Sequence, residues 1–228
     1  MVPVQISVII PALNEADSIA QVLAAIPKEH LLEVIVVDGG SSDGTAAIAE
    51  SCGAIVIPEE RRGYGRACAT GLAAARGGIV VFMDADGADD PQYIPVLIAP
   101  ILEREADMVL GSRLAGYVED GAMIWHQRTG NQLSAWLIHR LYGLPLTDLS
   151  PFRAVLRDRL LALHMQEMTY GWPTEMIAKA ARRSWRIQEI PVNYRTRLGG
   201  KSKISGTGKG SVLATYFILC TILRYARD

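Results

Sequence analysis

Four aspartates lie within seven residues of the chain, immediately after the apolar run Ile79 to Met83; they are Asp84, Asp86, Asp89 and Asp90. Carboxylates this close together repel one another and raise each other's pKa unless a cation or a hydrogen-bond network compensates. Mg²⁺ prefers oxygen ligands and is commonly held by one or two carboxylates together with substrate phosphates. The cluster therefore predicts a site for a metal ion and a phosphorylated ligand at the end of a buried strand, and a solvated turn is the competing interpretation.

A second polar stretch, rich in glycine, runs from Asp38 to Thr45 and follows the apolar residues 34–37. Its glycines allow the backbone to approach a ligand closely. The Asp38 carboxylate is suited to accept a hydrogen bond from a nucleobase N–H or a ribose hydroxyl. A glycine-rich turn with a Ser or Asp cap is the competing interpretation, and this stretch alone does not decide between the two.

The elements that must position these residues alternate along the first half of the chain. Apolar runs predict strands at 6–10, 34–37, 54–57, 79–83 and 108–110, and the stretches 15–26, 45–51 and 65–75 between them predict helices. Continuous apolar strands separated by helices indicate an α/β protein with a parallel sheet covered on both faces. Ligands of such sheets bind beyond the carboxyl ends of the strands, so Asp38 and Asp84 are expected to converge. Asn14 is expected to cap the helix 15–26.

The second half is predicted to be more helical. Residues 129–142 carry a broad apolar stripe, Pro173 suits the first turn of another helix, and 187–194 is predicted to be extended. The apolar run Val212 to Leu223 has twelve residues, fewer than the roughly 20 needed to span a bilayer. It is therefore predicted to be a core helix or a helix on a membrane surface.

Composition excludes some classes of function. The 228 residues include 23 basic and 24 acidic side chains, so no overall positive field points to nucleic acid. Between residues 182 and 209, however, eight basic residues face the single acid Glu189, which indicates an anionic partner or a solvated basic face. The three cysteines form no zinc or disulfide pattern, and a reducing cytosol fits them. No secretory signal segment is expected.

Two other enzyme classes are disfavoured. Residues 40–44 match the G-x-S-x-G pattern of hydrolase nucleophile elbows, but Asp38 and Gly39 separate that pattern from its strand. A nucleotidyltransferase should carry a Gly- and Arg-rich loop after the first strand, and Pro11 to Asn14 does not supply one.

In order along the chain, six segments resemble family 2 glycosyltransferases of the GT-A fold, and most of all the dolichyl- or polyprenyl-phosphate mannose or glucose synthases. The segments are Pro11 to Glu15, Val37 to Thr45, Asp84-Ala85-Asp86 with Pro91, Gly111-Ser112-Arg113, Asp148 to Arg153, and Lys201-Ser202-Lys203. The resemblance implies a GT-A, Rossmann-like fold with a mostly parallel central sheet flanked by helices and a helical C-terminal extension. A glycosyltransferase domain is expected over 1–210 and an apolar helix over 211–228, for which membrane association is one of two interpretations.

The resemblance also implies a UDP- or GDP-sugar donor and a Mg²⁺ or Mn²⁺ cofactor. Pro11, Leu13, Glu15 and Asp38 would then cradle the nucleoside, and Asp84 and Asp86, with Ala85 between them, would hold the metal against the diphosphate. Arg113 and Arg128 are candidates to bind an acceptor phosphate, because a guanidinium is planar and permanently charged. Ser150 falls in the acceptor-side segment, and Lys201, Ser202 and Lys203 would lie on a loop that closes over the phosphates.

The implied reaction is sugar transfer with inversion at the anomeric carbon. A prenyl phosphate acceptor is already anionic and needs no strong base, whereas a hydroxyl acceptor needs a carboxylate to take its proton. Asp148 and Glu175 are the candidate bases, and each has a structural alternative, as an Arg partner or as an acid in the first turn of a helix. With Asp86 and Arg113, these two complete the predicted catalytic set.

Three functions therefore remain open. The favoured one is a transferase on the cytoplasmic face of a membrane that acts on a polyprenyl phosphate. The alternatives are a soluble family 2 enzyme with a small hydroxyl or phosphate acceptor, and a non-catalytic nucleotide-sugar binding module. Three positions depart from the prenyl-phosphate pattern, namely Gly39, Ala88 and Pro151. No nucleic-acid partner is expected, and a homo-oligomer is compatible with the sequence.

Overall fold

The computed structural model describes residues 4–199 and 208–227 and contains one seven-stranded sheet. The sheet order is β3-β2-β1-β4-β6-β5-β7. Its strands are β1 (Ile6–Ala12), β2 (Leu31–Asp38), β3 (Ile55–Pro58), β4 (Ile79–Phe82), β5 (Met108–Ser112), β6 (Arg153–Leu156) and β7 (Ile187–Pro191). Only β6 runs against its neighbours, pairing antiparallel with β4 and β5. The mostly parallel α/β sheet predicted from the sequence is confirmed.

Eight helices flank the sheet in the described part of the chain. They are α1 (Ile19–Ala25), α2 (Thr45–Ser51), α3 (Tyr64–Ala74), α4 (Ile94–Leu102), α5 (Trp125–Tyr142), α6 (Arg157–Ala162), α7 (Trp172–Arg182) and α8 (Gly208–Arg227). Every residue of β4 is buried, and apolar clusters cover both faces of the sheet. This burial on two sides explains why the central strands are continuous apolar runs rather than alternating ones.

Several boundaries differ from the prediction. Helix α1 begins at Ile19 rather than near Glu15, because Asn14 adopts a positive φ of 51° and its side chain accepts a hydrogen bond from the Ser42 amide instead of capping a helix. Helix α5 begins four residues earlier than predicted, at Trp125. Strand β6 and helices α4 and α6 were not predicted.

The C-terminal helix α8 packs on the domain along one side. The Tyr225 hydroxyl donates to Glu175 at 2.6 Å, the Tyr142 hydroxyl donates to the Ile222 carbonyl at 2.6 Å, and Ile222 is fully buried. The helix begins at Gly208, three residues before the predicted boundary. Among the described helices, none combines the length and apolar character needed to cross a bilayer.

A cavity of about 250 Å³ lies at the amino ends of the parallel strands. It is lined by residues that include Val4, Ile79, Ala106 and Arg186. This is the edge of the sheet opposite to the aspartate cluster, so the cavity does not belong to the predicted site.

The turn before β4 supplies a test of the packing. A Cβ on Gly77 would lie 2.5 Å from the Ser7 amide nitrogen and 2.7 Å from the Ile6 carbonyl carbon, which are backbone atoms. We expect Gly77→Ala to lower the free energy of unfolding in urea by about 1–3 kcal/mol, because overpacking forces the backbone to shift.

The matched control is Gly130→Ala in α5, where an added Cβ meets no atom of the described residues within 4 Å. Since alanine is the better helix former, we expect this change to stabilise the protein by about 0.5–1 kcal/mol. Equal urea midpoints for the two variants would contradict this account of the turn.

Candidate active site

Loops from the carboxyl ends of three adjacent strands meet at one edge of the sheet. Strand β1 lies between β2 and β4, with Ala12 opposite Asp38 and Ile9 opposite Phe82. Pro11 is the penultimate residue of β1 and pairs with Val37. The loops that begin at Leu13, at Asp38 and at Met83 therefore lie side by side, as the order of elements predicts.

Asp38 has one carboxylate oxygen bound and one free for a ligand. Its Oδ2 accepts hydrogen bonds from the Gly40 and Ser41 amides at 3.2 and 3.0 Å. Its Oδ1 is buried and has no hydrogen-bond partner among the described residues. A buried acceptor without a donor is unfavourable, so a ligand N–H or O–H is the expected partner. The exposed side chain of Leu13 packs beside Gly39, the residue that follows Asp38, and offers an apolar surface there.

The loop after β1 is fixed to the loop after β2 by backbone donors. The Asn14 amide donates to the Ser41 hydroxyl at 2.8 Å, and the Glu15 amide donates to the Thr45 hydroxyl at 2.8 Å. The Glu15 carboxylate pairs with Arg197, which comes from the segment after β7 and also pairs with Asp86 after β4. Glu15 thus lies between the predicted nucleoside and metal regions.

Two of the carboxylates after β4, Asp84 and Asp89, are costly to ionise without a cation. Burial, reinforced by the charge of Asp86, raises the pKa of Asp84 to about 7. Burial, reinforced by Asp84 and Asp86, raises the pKa of Asp89 well above its ordinary value. The Asp89 Oδ1 is buried with no hydrogen-bond partner in the described part of the chain, while its Oδ2 accepts weakly from the Asp84 amide at 3.4 Å. Ala85 is buried and its carbonyl accepts from the Ser18 hydroxyl at 2.8 Å.

Asp86 already has a cation beside it, supplied by the chain itself. The Arg197 Nη1 lies 2.6 Å from Asp86 Oδ2, and its Nη2 lies 2.9 Å from Glu15 Oε1. The other Asp86 oxygen accepts from the Ala88 amide at 2.9 Å. Asp86 and Glu15 are thus both stabilised by a positive charge, which Arg197 supplies in this structure.

The donor set fits a metal ion that is shared with a substrate. Within the described residues, no three carboxylate, thiol or imidazole groups form a complete protein cage. Mg²⁺ sites often use one or two carboxylates and complete the octahedron with substrate phosphates and water. Asp84 and Asp86, together with the nearby Asp89 and its unpartnered oxygen, match that incomplete set.

A second cluster surrounds Arg113, the residue directly after β5, with partners on α5, before β6 and after β7. The Arg113 amide and Nε donate to Asp148 Oδ2 at 2.9 and 2.8 Å, and its Nη2 donates to Oδ1 at 2.9 Å. Asn131 also donates to Asp148, and the guanidinium lies 5.1 Å from the centre of the Tyr194 ring. Burial alone would lower the pKa of Arg113, but Asp148 raises it, so the guanidinium is permanently charged.

Asp148 is better placed to orient Arg113 than to take a proton. Although burial alone would raise the pKa of Asp148, Arg113 and Asn131 lower it below the ordinary value. Both of its oxygens already accept hydrogen bonds from these two side chains. A carboxylate that is fully bonded and weakly basic is a poor general base.

The remaining predicted residues differ in where they lie. Arg128 is exposed on α5, three residues before Asn131 and so on the same helix face. Ser150 is buried, and its hydroxyl accepts from the Phe152 amide, which is a local turn contact. Lys201, Ser202 and Lys203 lie outside the described residues.

Glu175 is not brought together with the other predicted catalytic residues. It is fully buried in α7, where it accepts from the Gln166 and Glu167 amides and from the Tyr225 hydroxyl. Lys179 pairs with it at 2.7 Å. These contacts fix a loop and helix α8, so they favour the structural alternative.

Sequence reasoning did not assign three residues near the site, of which Arg153 is buried and Tyr64 and Asn131 are partly buried. Tyr64 lies near Asp84 and acts to lower the pKa of that carboxyl, while burial raises the pKa of the Tyr64 hydroxyl. Arg153, fully buried, donates to the Pro173 and Ser150 carbonyls, and burial lowers its pKa to about 10. Asn131 orients Asp148. Only Arg153 gave a signal, as a charged residue within an otherwise apolar tetrapeptide.

Comparison with known proteins identifies the class. The family model described as Glycosyl transferase family 2 matches residues 7–163. The chain belongs to this family, and it is therefore a glycosyltransferase. Its mostly parallel sheet with flanking helices is the GT-A fold of structurally similar glycosyltransferases.

Particular relatives are similar over most of their length. An uncharacterized glycosyltransferase of Mycobacterium tuberculosis is 40% identical over 92% of this chain and 94% of its own. An undecaprenyl-phosphate mannosyltransferase of Micrococcus luteus is 33% identical, with 87% and 86% covered. A dolichyl-phosphate hexose transferase of Haloferax volcanii is 31% identical, with 91% and 90% covered.

A solved structure gives a second line of comparison. Glucosyl-3-phosphoglycerate synthase of Mycobacterium tuberculosis, crystallised with Mn²⁺, UDP-glucose and phosphoglyceric acid, superposes with a TM-score of 0.80. It is 27% identical, and the match covers 98% of this chain and 80% of the synthase.

Proposed function

We propose that this glycosyltransferase moves a sugar from a UDP- or GDP-sugar to a polyprenyl (dolichyl-type) phosphate, with a divalent metal ion and with inversion at the anomeric carbon. The observation that carries the proposal is the pairing of two charge clusters at one edge of the sheet. One is the group of carboxylates after β4 that requires a cation, and the other is the permanently charged Arg113.

Each half of the site has a separate task in this proposal. Asp38 accepts a hydrogen bond from the base or ribose at its free Oδ1, against the apolar surface of Leu13, and Pro11 and Glu15 shape the loop. Asp84 and Asp86 would hold Mg²⁺ or Mn²⁺, which would offset the charge that develops on the departing nucleoside diphosphate. The solved synthase, crystallised with Mn²⁺ and UDP-glucose and also with Mg²⁺ and UDP, supports this assignment.

Arg113 would then bind the acceptor phosphate, and Arg128 would contribute a second charge from α5. Asp148 accepts hydrogen bonds from the Nε and Nη2 of Arg113 and so fixes the plane of the guanidinium. A phosphate acceptor is anionic at neutral pH, so no general base is needed, in agreement with the weak basicity of Asp148.

The lipid character of the acceptor is supported by the exposed face of α5. Trp125 and Trp136 are 77% and 57% exposed, and the half-exposed Leu133 lies between them. Because their spacing of eleven residues is close to three helical turns, the two indoles share one face. Exposed Trp and Leu next to basic side chains suit a membrane interface. The relatives named for undecaprenyl and dolichyl phosphate favour the same acceptor, which would place the enzyme on the cytoplasmic face of a membrane.

A small phosphate acceptor is the second candidate, and the solved synthase with phosphoglyceric acid favours it. UDP or GDP release should be measured with a panel of donors, using undecaprenyl phosphate in vesicles and phosphoglyceric acid in solution. We expect metal-dependent release and a radiolabelled lipid product with the first acceptor. Product formed only from phosphoglyceric acid would assign the second candidate instead.

Trp125→Ala with Trp136→Ala isolates the membrane contribution. We expect the double variant to lose activity toward undecaprenyl phosphate in vesicles and to keep activity toward a short-chain, water-soluble prenyl phosphate. Equal losses with both acceptors would contradict a membrane role for this face of α5.

Asp38→Asn tests the donor half. We expect donor affinity to fall by about tenfold or more, since a hydrogen bond to a charged group typically contributes about 1.5–3 kcal/mol. Titration calorimetry of UDP and GDP would measure it, and Mn²⁺ binding without nucleotide serves as the control that should not change. Unaltered nucleotide affinity would remove Asp38 from the site.

A further inference from the structure

The segment Tyr194–Gly199, called the strap below, crosses the loop that carries Asp86. The Arg195 amide donates to the Ala88 carbonyl at 2.9 Å, and the Leu198 amide donates to the Asp86 carbonyl at 3.0 Å. The Leu198 side chain packs directly on Gly87, in the space that a Cβ there would need. A change in the backbone position at Asp86 therefore shifts the strap as well.

The strap places one guanidinium on two buried carboxylates. Arg197 pairs with Asp86 at 2.6 Å and with Glu15 at 2.9 Å, while its own side chain is 26% exposed. Its Nε is buried and finds no hydrogen-bond partner among the described residues. Because the Asp86 and Glu15 carboxylates are buried, water screens their interaction with Arg197 only weakly. The charge of Arg197 therefore strongly affects the affinity of Asp86 for another cation.

Arg197 and a divalent ion place conflicting demands on Asp86. One oxygen of Asp86 accepts from the Ala88 amide and the other from Arg197. A metal ion at roughly 2.0–2.1 Å needs one of these oxygens and repels a guanidinium bound to it. Both cations cannot keep their best position on this carboxylate.

We propose that Arg197 is a tethered counter-cation, which neutralises Asp86 before metal loading and yields that carboxylate when the ion binds. The inference rests on the metal site of the proposed function. Once released from Asp86, Arg197 keeps Glu15 as one partner, and the N–H groups that it frees become available to an anionic diphosphate. Metal binding is then coupled to a rearrangement of the strap. In the absence of the nucleotide-sugar, a metal ion binds weakly because it must displace the Arg197 guanidinium from Asp86.

Arg197→Gln measures this competition. Mn²⁺ affinity of the full chain, determined without nucleotide from the electron paramagnetic resonance signal of the free ion, is expected to increase by about fivefold, since an ion pair that is partly exposed is worth about 1 kcal/mol. Arg197→Lys keeps the charge and should stay within about twofold of the parent. An affinity that is unchanged or weaker in Arg197→Gln would overturn the inference.

Arg195→Gln is the matched control. Arg195 lies on the same strap and carries the same charge, but it pairs with Asp90 rather than with Asp86, at 2.7 Å. We expect its removal to change Mn²⁺ affinity by less than about twofold. An equal gain in both variants would show a general field effect and would also overturn the specific role of Arg197.

Hydrogen exchange of the Leu198 amide supplies a readout independent of activity. In the parent chain Mn²⁺ should speed this exchange, because the strap loses its contact with Asp86. In Arg197→Gln the amide should exchange quickly with or without Mn²⁺.

Asp86→Asn distinguishes failure of the proposed metal site from failure of the role proposed for Arg197. If the parent and Asp86→Asn bind Mn²⁺ equally, the proposed metal site fails. If only the parent binds it and Arg197→Gln matches the parent, the tethered counter-cation alone fails.

Discussion

Asp86→Asn is expected to abolish metal-dependent donor binding and to lower kcat by about three orders of magnitude, since metal stabilisation of a leaving diphosphate contributes several kcal/mol. Asn keeps the shape of the side chain and an oxygen for the Ala88 amide, so the loop should retain its fold. Steady-state kinetics with saturating Mn²⁺ and titration calorimetry of the nucleoside diphosphate would measure both effects.

Asp158→Asn is the matched control for this change, because the Asp158 side chain is 95% exposed on α6, outside the site. It removes the same charge and should leave kcat and donor affinity unchanged. Metal-dependent donor binding that survives in Asp86→Asn within about twofold would remove Asp86 from the metal site.

Asp148→Ala is expected to lower the free energy of unfolding by about 3–5 kcal/mol, because it leaves Arg113 partly buried without its counter-charge. The pKa of Asp148 is lowered in the folded chain. Its contribution to stability is therefore present above the ordinary pKa of aspartate and is lost as the pH falls through the lowered value. Urea unfolding at neutral and acidic pH would show the difference between parent and variant shrinking with acidity.

Asp148→Asn separates a positioning residue from a base. If Asp148 orients Arg113, the Asn variant should raise the KM for the acceptor and retain much of kcat, because the amide oxygen still accepts from the guanidinium. A general base typically contributes about 10²–10⁴ in rate. Loss of kcat on that scale with an unchanged acceptor KM would assign Asp148 as the base and favour a hydroxyl acceptor.

The donor half of the site could be predicted from the sequence for a clear reason. Strands β1, β2 and β4 are buried on both faces, so each is a continuous apolar run whose end marks the carboxyl edge of the sheet. Asp38 and Asp84 follow two of these ends directly, which fixes their convergence without any knowledge of side-chain geometry.

The acceptor half of the site was harder to predict from the sequence. Strand β6 has four residues and begins with Arg153, so no apolar periodicity marked it, and its antiparallel direction depends on tertiary pairing with β4 and β5. Asn131 donates a hydrogen bond to Asp148, and this contact could not be read from the sequence because the two residues meet only in the folded chain. Helix α5 gave a different problem, because an apolar stripe does not distinguish a core helix from a helix on a membrane surface; Leu133, Trp136 and Leu141 of this stripe are exposed.

Arg197 shows the limit of motif reasoning most clearly. It is separated from Asp86 by 111 positions, and the sequence showed it only as one member of a basic run. Its ion pairs with Asp86 and Glu15 depend on how the chain returns across the carboxyl edge after β7. Glu175 is a different case, since its place in the first turn of a helix left both a catalytic and a structural role open, and its contacts with the loop at Gln166 and with Tyr225 favour the structural one.

The most direct measurement is anomalous diffraction at the manganese edge from a crystal of the full chain grown with Mn²⁺ and the nucleoside diphosphate that binds most tightly. The account predicts a single strong peak in contact with an Asp86 or Asp84 oxygen and with a phosphate oxygen, with Arg197 withdrawn from Asp86. A nucleotide bound at Asp38 with no manganese peak at these aspartates, or a peak elsewhere in the molecule, would contradict it.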